Sequence, residues 1–134
     1  MKKIINVQVE KQPGEKSFAC YMIEDMEGFG LSGYGKSVRD AMRDLYVSMD
    51  ETKEFFNEQG KEFPELDIKF HFDIGSLFDY YSFLSIAGVA KRAGINASLM
   101  RQYASGVHKP SIRRRSAIIQ SIHEIGKELQ SVVQ

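Results

Sequence analysis

The hydrophobic period of this chain changes once, near Gly75-Ser76. Before that point, Ile5, Val7 and Val9 alternate with Asn6, Gln8 and Glu10, and Ile68, Phe70 and Phe72 alternate with Lys69, His71 and Asp73. A period of two is the mark of a strand with one buried face. After it, residues 76–133 read as short helices joined by Gly or Pro, with no alternation left. A sheet and a set of helices bury their apolar faces differently, so the switch predicts two units, residues 1–75 and residues 76–134. No flexible linker separates them, and the two are expected to stay in contact.

The first unit resolves further. Gln12-Pro13-Gly14-Glu15 is a turn, because Pro fixes φ and Gly allows positive φ. Residues 18–23 are mostly apolar and predict a central strand, and a short third strand is expected around residues 29–34. Ser37 and Asp40 form a helix N-terminal signal, followed by Val38, Met42, Leu45, Met49 and Phe56 at helical spacing and by Gly60 as a stop. The expected order is β-β-β-α-β, a small sheet with one helix, and the whole chain is α+β.

Charge divides at the same place. The full chain is neutral, with 18 basic and 18 acidic residues, but residues 1–75 hold 10 Lys/Arg against 15 Asp/Glu. Residues 76–134 hold 8 Lys/Arg against Asp79, Glu124 and Glu128. A net −5 beside a net +5 suggests different partners, the basic half suited to a polyanion. Chance segregation of solvated charge is the plainer alternative.

Residues 86–105 carry the sharpest signal. Val89, Ala90 and Ala93 share one face of a helix that Gly94 closes, Ile95 fills the corner, and Asn96 caps a second helix. Met100 and Tyr103 point back at the first helix. Two helices joined by a short glycine turn, with a small residue four positions before that glycine, make a helix-turn-helix. The second helix of that motif reads bases in the major groove, and Asn96, Ala97, Ser98, Arg101 and Gln102 are the candidate base-reading residues. Lys91, Arg92 and Ser105 are candidate phosphate ligands, as are Lys109, Arg113, Arg114 and Arg115. A helical bundle with a merely solvated polar face is the competing reading.

Downstream, Pro110-Ser111 opens a last helix whose Ile118, Ile122, Ile125, Leu129 and Val132 recur at spacings of four and three. That seam suits core packing or a two-fold partner, and a homodimer or higher homo-oligomer is expected because such readers bind paired half-sites.

Other chemistry is weakly supported. The glycines from Gly28 to Gly35 do not open a helix with a following Lys-Ser/Thr, so no phosphate loop is expected. His71, His108 and His123 are scattered, Cys20 lies in an apolar strand, and neither a metal site nor a catalytic set is expected. No cofactor is expected. Glu24, Asp25 and Glu27 form an acidic loop cluster. Tyr80, Tyr81 and Phe83 are expected to pack in the core or between the units. A lone cysteine points to a reducing compartment, and the first residues carry no secretory core. With no membrane-spanning stretch either, a soluble cytoplasmic protein without membrane contact is expected.

The whole pattern resembles a HicB-type antitoxin. The matching stretches are residues 18–23, then Glu24-Asp25-Met26-Glu27-Gly28-Phe29, then Gly35-Lys36-Ser37-Val38-Arg39-Asp40-Ala41. Family members carry a Pro-Asp-Leu-Pro-Gly-Cys-like stretch before a Gly-x-Ser/Thr-x-x-Glu-Ala helix start, and Glu24 and Glu27 replace both prolines here. The resemblance implies a degenerate, truncated RNase H-like sheet that binds a small basic RNase toxin, HicA. It also implies a C-terminal domain that binds the operator of its own operon. Under that reading Glu24, Asp25 and Glu27 are candidate toxin contacts. The alternative is an orphan regulator whose first unit senses a ligand or drives oligomerisation.

Overall fold

The computed structural model describes residues 2–26 and 28–134. It is α+β, with a four-stranded mixed sheet and five helices. Strands β1 (Lys3–Lys11), β2 (Phe18–Met22) and β3 (Ser32–Gly35) precede helix α1 (Val38–Glu58) and strand β4 (Leu66–Phe72). Helices α2 (Ile74–Tyr80), α3 (Ile86–Ala93), α4 (Ala97–Ser105) and α5 (Ile112–Gln130) follow.

The sheet order is β3-β2-β1-β4, with β2 antiparallel to both neighbours and β4 parallel to β1. The register puts the apolar positions on one side. Val7 stands opposite Met22 and Phe70, and Val9 opposite Cys20 and Phe72. Ile5, Val7, Val9 and Cys20 are fully buried beneath Val38, Ala41 and Leu45 of α1. Ser37 caps the start of α1: its hydroxyl oxygen accepts from the Asp40 N–H at 3.0 Å. Among the described residues no helix covers the opposite face of the sheet, and Ile4 and Tyr34 are more than 60% exposed there.

The glycines of β3 explain how closely α1 approaches. A Cβ on Gly33 would lie 2.2 Å from the Ala41 carbonyl oxygen and 2.5 Å from the Leu45 nitrogen. Those are backbone atoms, so any larger residue would push the helix off the strand. The third strand begins at Ser32 rather than Phe29, because Met26 and Phe29 bridge across a turn at that point. Phe29 packs instead on Phe56 and Phe63, at centroid distances of 5.8 and 4.9 Å.

The position 75/76 falls inside α2, a helix that belongs to both units. Asp73 is its N-cap: Oδ1 accepts from the Ser76 N–H at 2.8 Å and Oδ2 from the Lys11 N–H at 3.0 Å. Ile74 and Phe78 join the helical core with Val89, Ala90, Met100, Tyr103 and Ile118, while Tyr80 stacks on Phe72 of the sheet. Helix α5 is longer than the short helices expected, at 19 residues, and Val132 lies beyond its end. Phe83, expected to pack, is 77% exposed. Among the described residues no helix is long and apolar enough to cross a membrane.

Candidate nucleic-acid interface

Helix α3 ends at Gly94, whose φ of 70° and ψ of 30° place it in the left-handed region. That conformation turns the chain sharply without strain for glycine alone. The Ile95 N–H then returns to the Ala90 carbonyl at 2.9 Å, closing the corner. One residue later Asn96 starts α4, its side-chain oxygen accepting from Ser98 and Leu99 N–H groups at 2.8 and 3.4 Å.

Helix α4 has two distinct sides. Met100 and Tyr103 are buried against α2, α3 and α5. Ser98, Arg101, Gln102 and Ser105 are exposed, and their spacings of three, one and three put them on one face of the helix. Of the candidate base-reading residues, Ser98, Arg101 and Gln102 therefore reach solvent. Asn96 is exposed with its oxygen committed to the cap, and Ala97 is half-buried against the helical core.

The candidate phosphate ligands divide by what they already hold. Lys91, Lys109 and Arg113 are exposed side chains, Lys91 at the end of α3, Lys109 just before α5 and Arg113 in its first turn. Arg92 instead forms a two-pronged pair with Glu128 of α5, at 3.1 and 2.5 Å. That contact raises the Arg92 pKa and lowers that of Glu128. Arg114 donates to the Tyr103 hydroxyl oxygen at 2.9 Å, tying the start of α5 to the buried side of α4. Arg115 donates to the Phe72 carbonyl at 2.8 Å, tying α5 to the end of β4. The Ser105 hydroxyl donates back to the Gln102 carbonyl at 3.1 Å. Local spacing gave no sign of the three arginines' partners, which lie 36, 11 and 43 residues away.

No protein family, curated protein or solved structure matches the chain.

In the acidic loop, Glu24 is bound to the sheet rather than free. Its carboxylate accepts from the Asn6 backbone N–H at 2.5 Å and from Asn6 Nδ2 at 2.9 Å. Those two bonds, with the positive influence of His71, hold its pKa below the ordinary glutamate value. The same Asn6 places its Oδ1 2.7 Å from His71 Nε2, so Glu24, Asn6 and His71 form a polar chain on the open face of the sheet. Asp25 is exposed beside it, and Glu27 lies outside the described residues. Cys20 is fully buried, and burial pushes its thiol up to about 11.

Proposed function

We propose that the chain is a DNA-binding antitoxin and transcriptional autorepressor of a HicA/HicB-type operon. Its α3-turn-α4 segment acts as a helix-turn-helix that reads operator DNA, and the protein works without catalysis of its own. The observation that carries the DNA reading is the exposed face of α4, where Ser98, Arg101, Gln102 and Ser105 line up behind a left-handed glycine corner. Arg and Gln are side chains able to make paired hydrogen bonds to guanine and adenine edges. Lys91, Lys109 and Arg113 are exposed, with no ion pair or side-chain hydrogen bond among the described residues, and would bind phosphates in a salt-dependent, sequence-independent way.

For the first unit, the support is the resemblance to the HicB domain together with the β-β-β-α-β order and the net negative charge. The open sheet face, with the Glu24-Asn6-His71 chain toward its β4 edge, is the surface we assign to a small basic RNase toxin. In that role the sheet would be the degenerate RNase H-like platform of the family.

The test is binding of the purified protein to DNA from its own upstream region across a salt series, beside Arg101→Ala/Gln102→Ala. Each lost base contact should cost about 1–3 kcal/mol, so the double variant should bind the operator at least tenfold more weakly with relaxed sequence preference. Operator binding by the double variant equal to wild type would remove α4 from the groove. Co-purification with the product of the adjoining gene tests the toxin assignment separately.

A further inference from the structure

Lys11, the last residue of β1, packs its side-chain stem against two glycines, Gly75 in α2 and Gly106 at the end of α4. A Cβ on Gly75 would lie 2.9 Å from Lys11 Cβ, and one on Gly106 would lie 3.2 Å from Lys11 Cγ. The stem is thus held where the sheet meets α4, beside a cavity of about 120 Å³ that it helps to line. Lys109, from the loop before α5, and Arg115 of α5 line the same cavity. So do four groups with largely apolar surface, Pro13, Ile74, Tyr103 and Pro110.

We propose that this cavity binds a small organic carboxylate, an apolar body of about one ring that carries one acid group. Of the residues just assigned to DNA or to a toxin, Lys109 alone takes part.

Charge sets the sign of the ligand. Lys11, Lys109 and Arg115 are cationic, and among the described residues the one acidic side chain lining the cavity is Asp73. Both Asp73 oxygens already accept N–H groups, from Ser76 and from Lys11. A concave surface with that excess of positive charge concentrates anions. Donors for a carboxylate are present as well. Arg115 uses Nη2 on the Phe72 carbonyl, and its other N–H groups have no partner among the described residues. Tyr103 is 5% exposed, and its hydroxyl accepts from Arg114 at 2.9 Å while donating to nothing among the described residues.

The remaining lining sets the body of the ligand. Pro13, Ile74 and Pro110 have no polar side-chain atom, so carbon gains from burial against them and a bare inorganic anion does not. A cavity of roughly 150 Å³ takes benzene, so this one suits a single ring and nothing much larger. The occupant touches β1 through Lys11 and the helices through Tyr103 and Arg115, and therefore fastens the two units together. It also engages Lys109. Under the DNA reading, on which this last consequence rests, the bound acid removes one phosphate contact and weakens operator binding.

Benzoate is the probe, titrated without DNA into the isotope-labelled full chain while the Gly75 and Gly106 amide signals are followed by NMR. Both signals should shift and saturate at millimolar benzoate, and the melting temperature should rise with benzoate concentration. Benzamide has nearly the same shape and no charge, and should bind at least about tenfold more weakly. Lys11→Met keeps the stem between the glycines and Lys109→Gln alters an exposed side chain, so the double variant keeps the fold. Its affinity for benzoate should fall at least about tenfold. Lys127→Gln, an exposed position of α5 away from the cavity, should bind as wild type does. Unmoved Gly75 and Gly106 signals overturn the proposal, as does undiminished benzoate affinity in the double variant. Inorganic phosphate binding as tightly as benzoate would make this a site for a bare anion and overturn the carboxylate assignment. Since no DNA enters the titration, failure of the DNA reading would leave these results unchanged.

Discussion

Replacing Gly94 isolates the energetic cost of the corner between α3 and α4. A Cβ built at Gly94 meets nothing within 4 Å, so Gly94→Ala introduces no clash. What remains is the backbone: φ of 70° is a conformation that costs an L-residue with a side chain about 1–2 kcal/mol. Gly94→Ala should therefore lower unfolding free energy by that amount, a fall in melting temperature of about 4–8 °C for a chain of this size. Gly94→Asn should recover part of the loss, since asparagine visits the left-handed region more readily. Gly94→Val should lose more than alanine, because a branched Cβ at positive φ is a marked outlier. Urea unfolding followed by circular dichroism gives all three values. A neutral Gly94→Ala would mean the corner does not require positive φ. A loss above about 3 kcal/mol would mean that packing, not backbone conformation, is at stake.

Two other perturbations separate surface from scaffold. Arg113→Ala should weaken binding to all DNA sequences alike and flatten the salt dependence, whereas Arg115→Ala should lower stability by about 1–3 kcal/mol, since its guanidinium holds the Phe72 carbonyl; the reverse pattern would exchange their roles. Cys20, with its thiol pushed from 9.0 to about 11, should resist alkylation in the folded protein at pH 8 and react only on unfolding. Because the folded state holds the neutral thiol more tightly, this group's contribution to stability is complete below pH 9. It is lost as pH rises from 9 to about 11, and a stability profile flat across that window would contradict it.

Local signals in the sequence were legible where one residue decides one backbone event. Ser37, Gly94, Asn96 and Ser111 each cap or end a helix through groups within four residues, and all four act where spacing predicts. The alternation in β1 and β4 likewise reports directly which side meets α1. Helix α2 was not legible, because Ile74, Gly75, Ser76, Leu77 and Phe78 are all buried and a helix covered on every side has no period to read. The arginines show a different limit. Arg92, Arg114 and Arg115 look alike as basic residues of the helical unit, yet they engage Glu128, Tyr103 and Phe72, partners 36, 11 and 43 residues away. Only tertiary structure separates them from Arg113. Phe83 misleads in the same way: an aromatic between two helices reads as core until the loop is seen to carry it outward.

Asp73 bears on how the two units communicate. Its carboxylate accepts one N–H from α2 and one from the last residue of β1, so the cap of the first helix of the helical unit is also a sheet contact. Val38 at the start of α1 donates its N–H to Asp79 near the other end of α2, at 2.8 Å, adding a second backbone tie to the same helix. A helix fastened at one end to β1 and near the other to α1, and buried among the residues that pack against α4, cannot unfold alone. The chain should thus show one cooperative unfolding transition, with tyrosine fluorescence and far-ultraviolet circular dichroism coinciding. Asp73→Ala removes both acceptors and leaves two N–H groups without them, for a loss of about 2–4 kcal/mol. Asp73→Asn keeps one side-chain oxygen and should lose about half as much. If Asp73→Ala instead split unfolding into two transitions with little loss in the first, α2 would be a linker between independent units. A perturbation of the open sheet face would then have no structural route through α2 to α4.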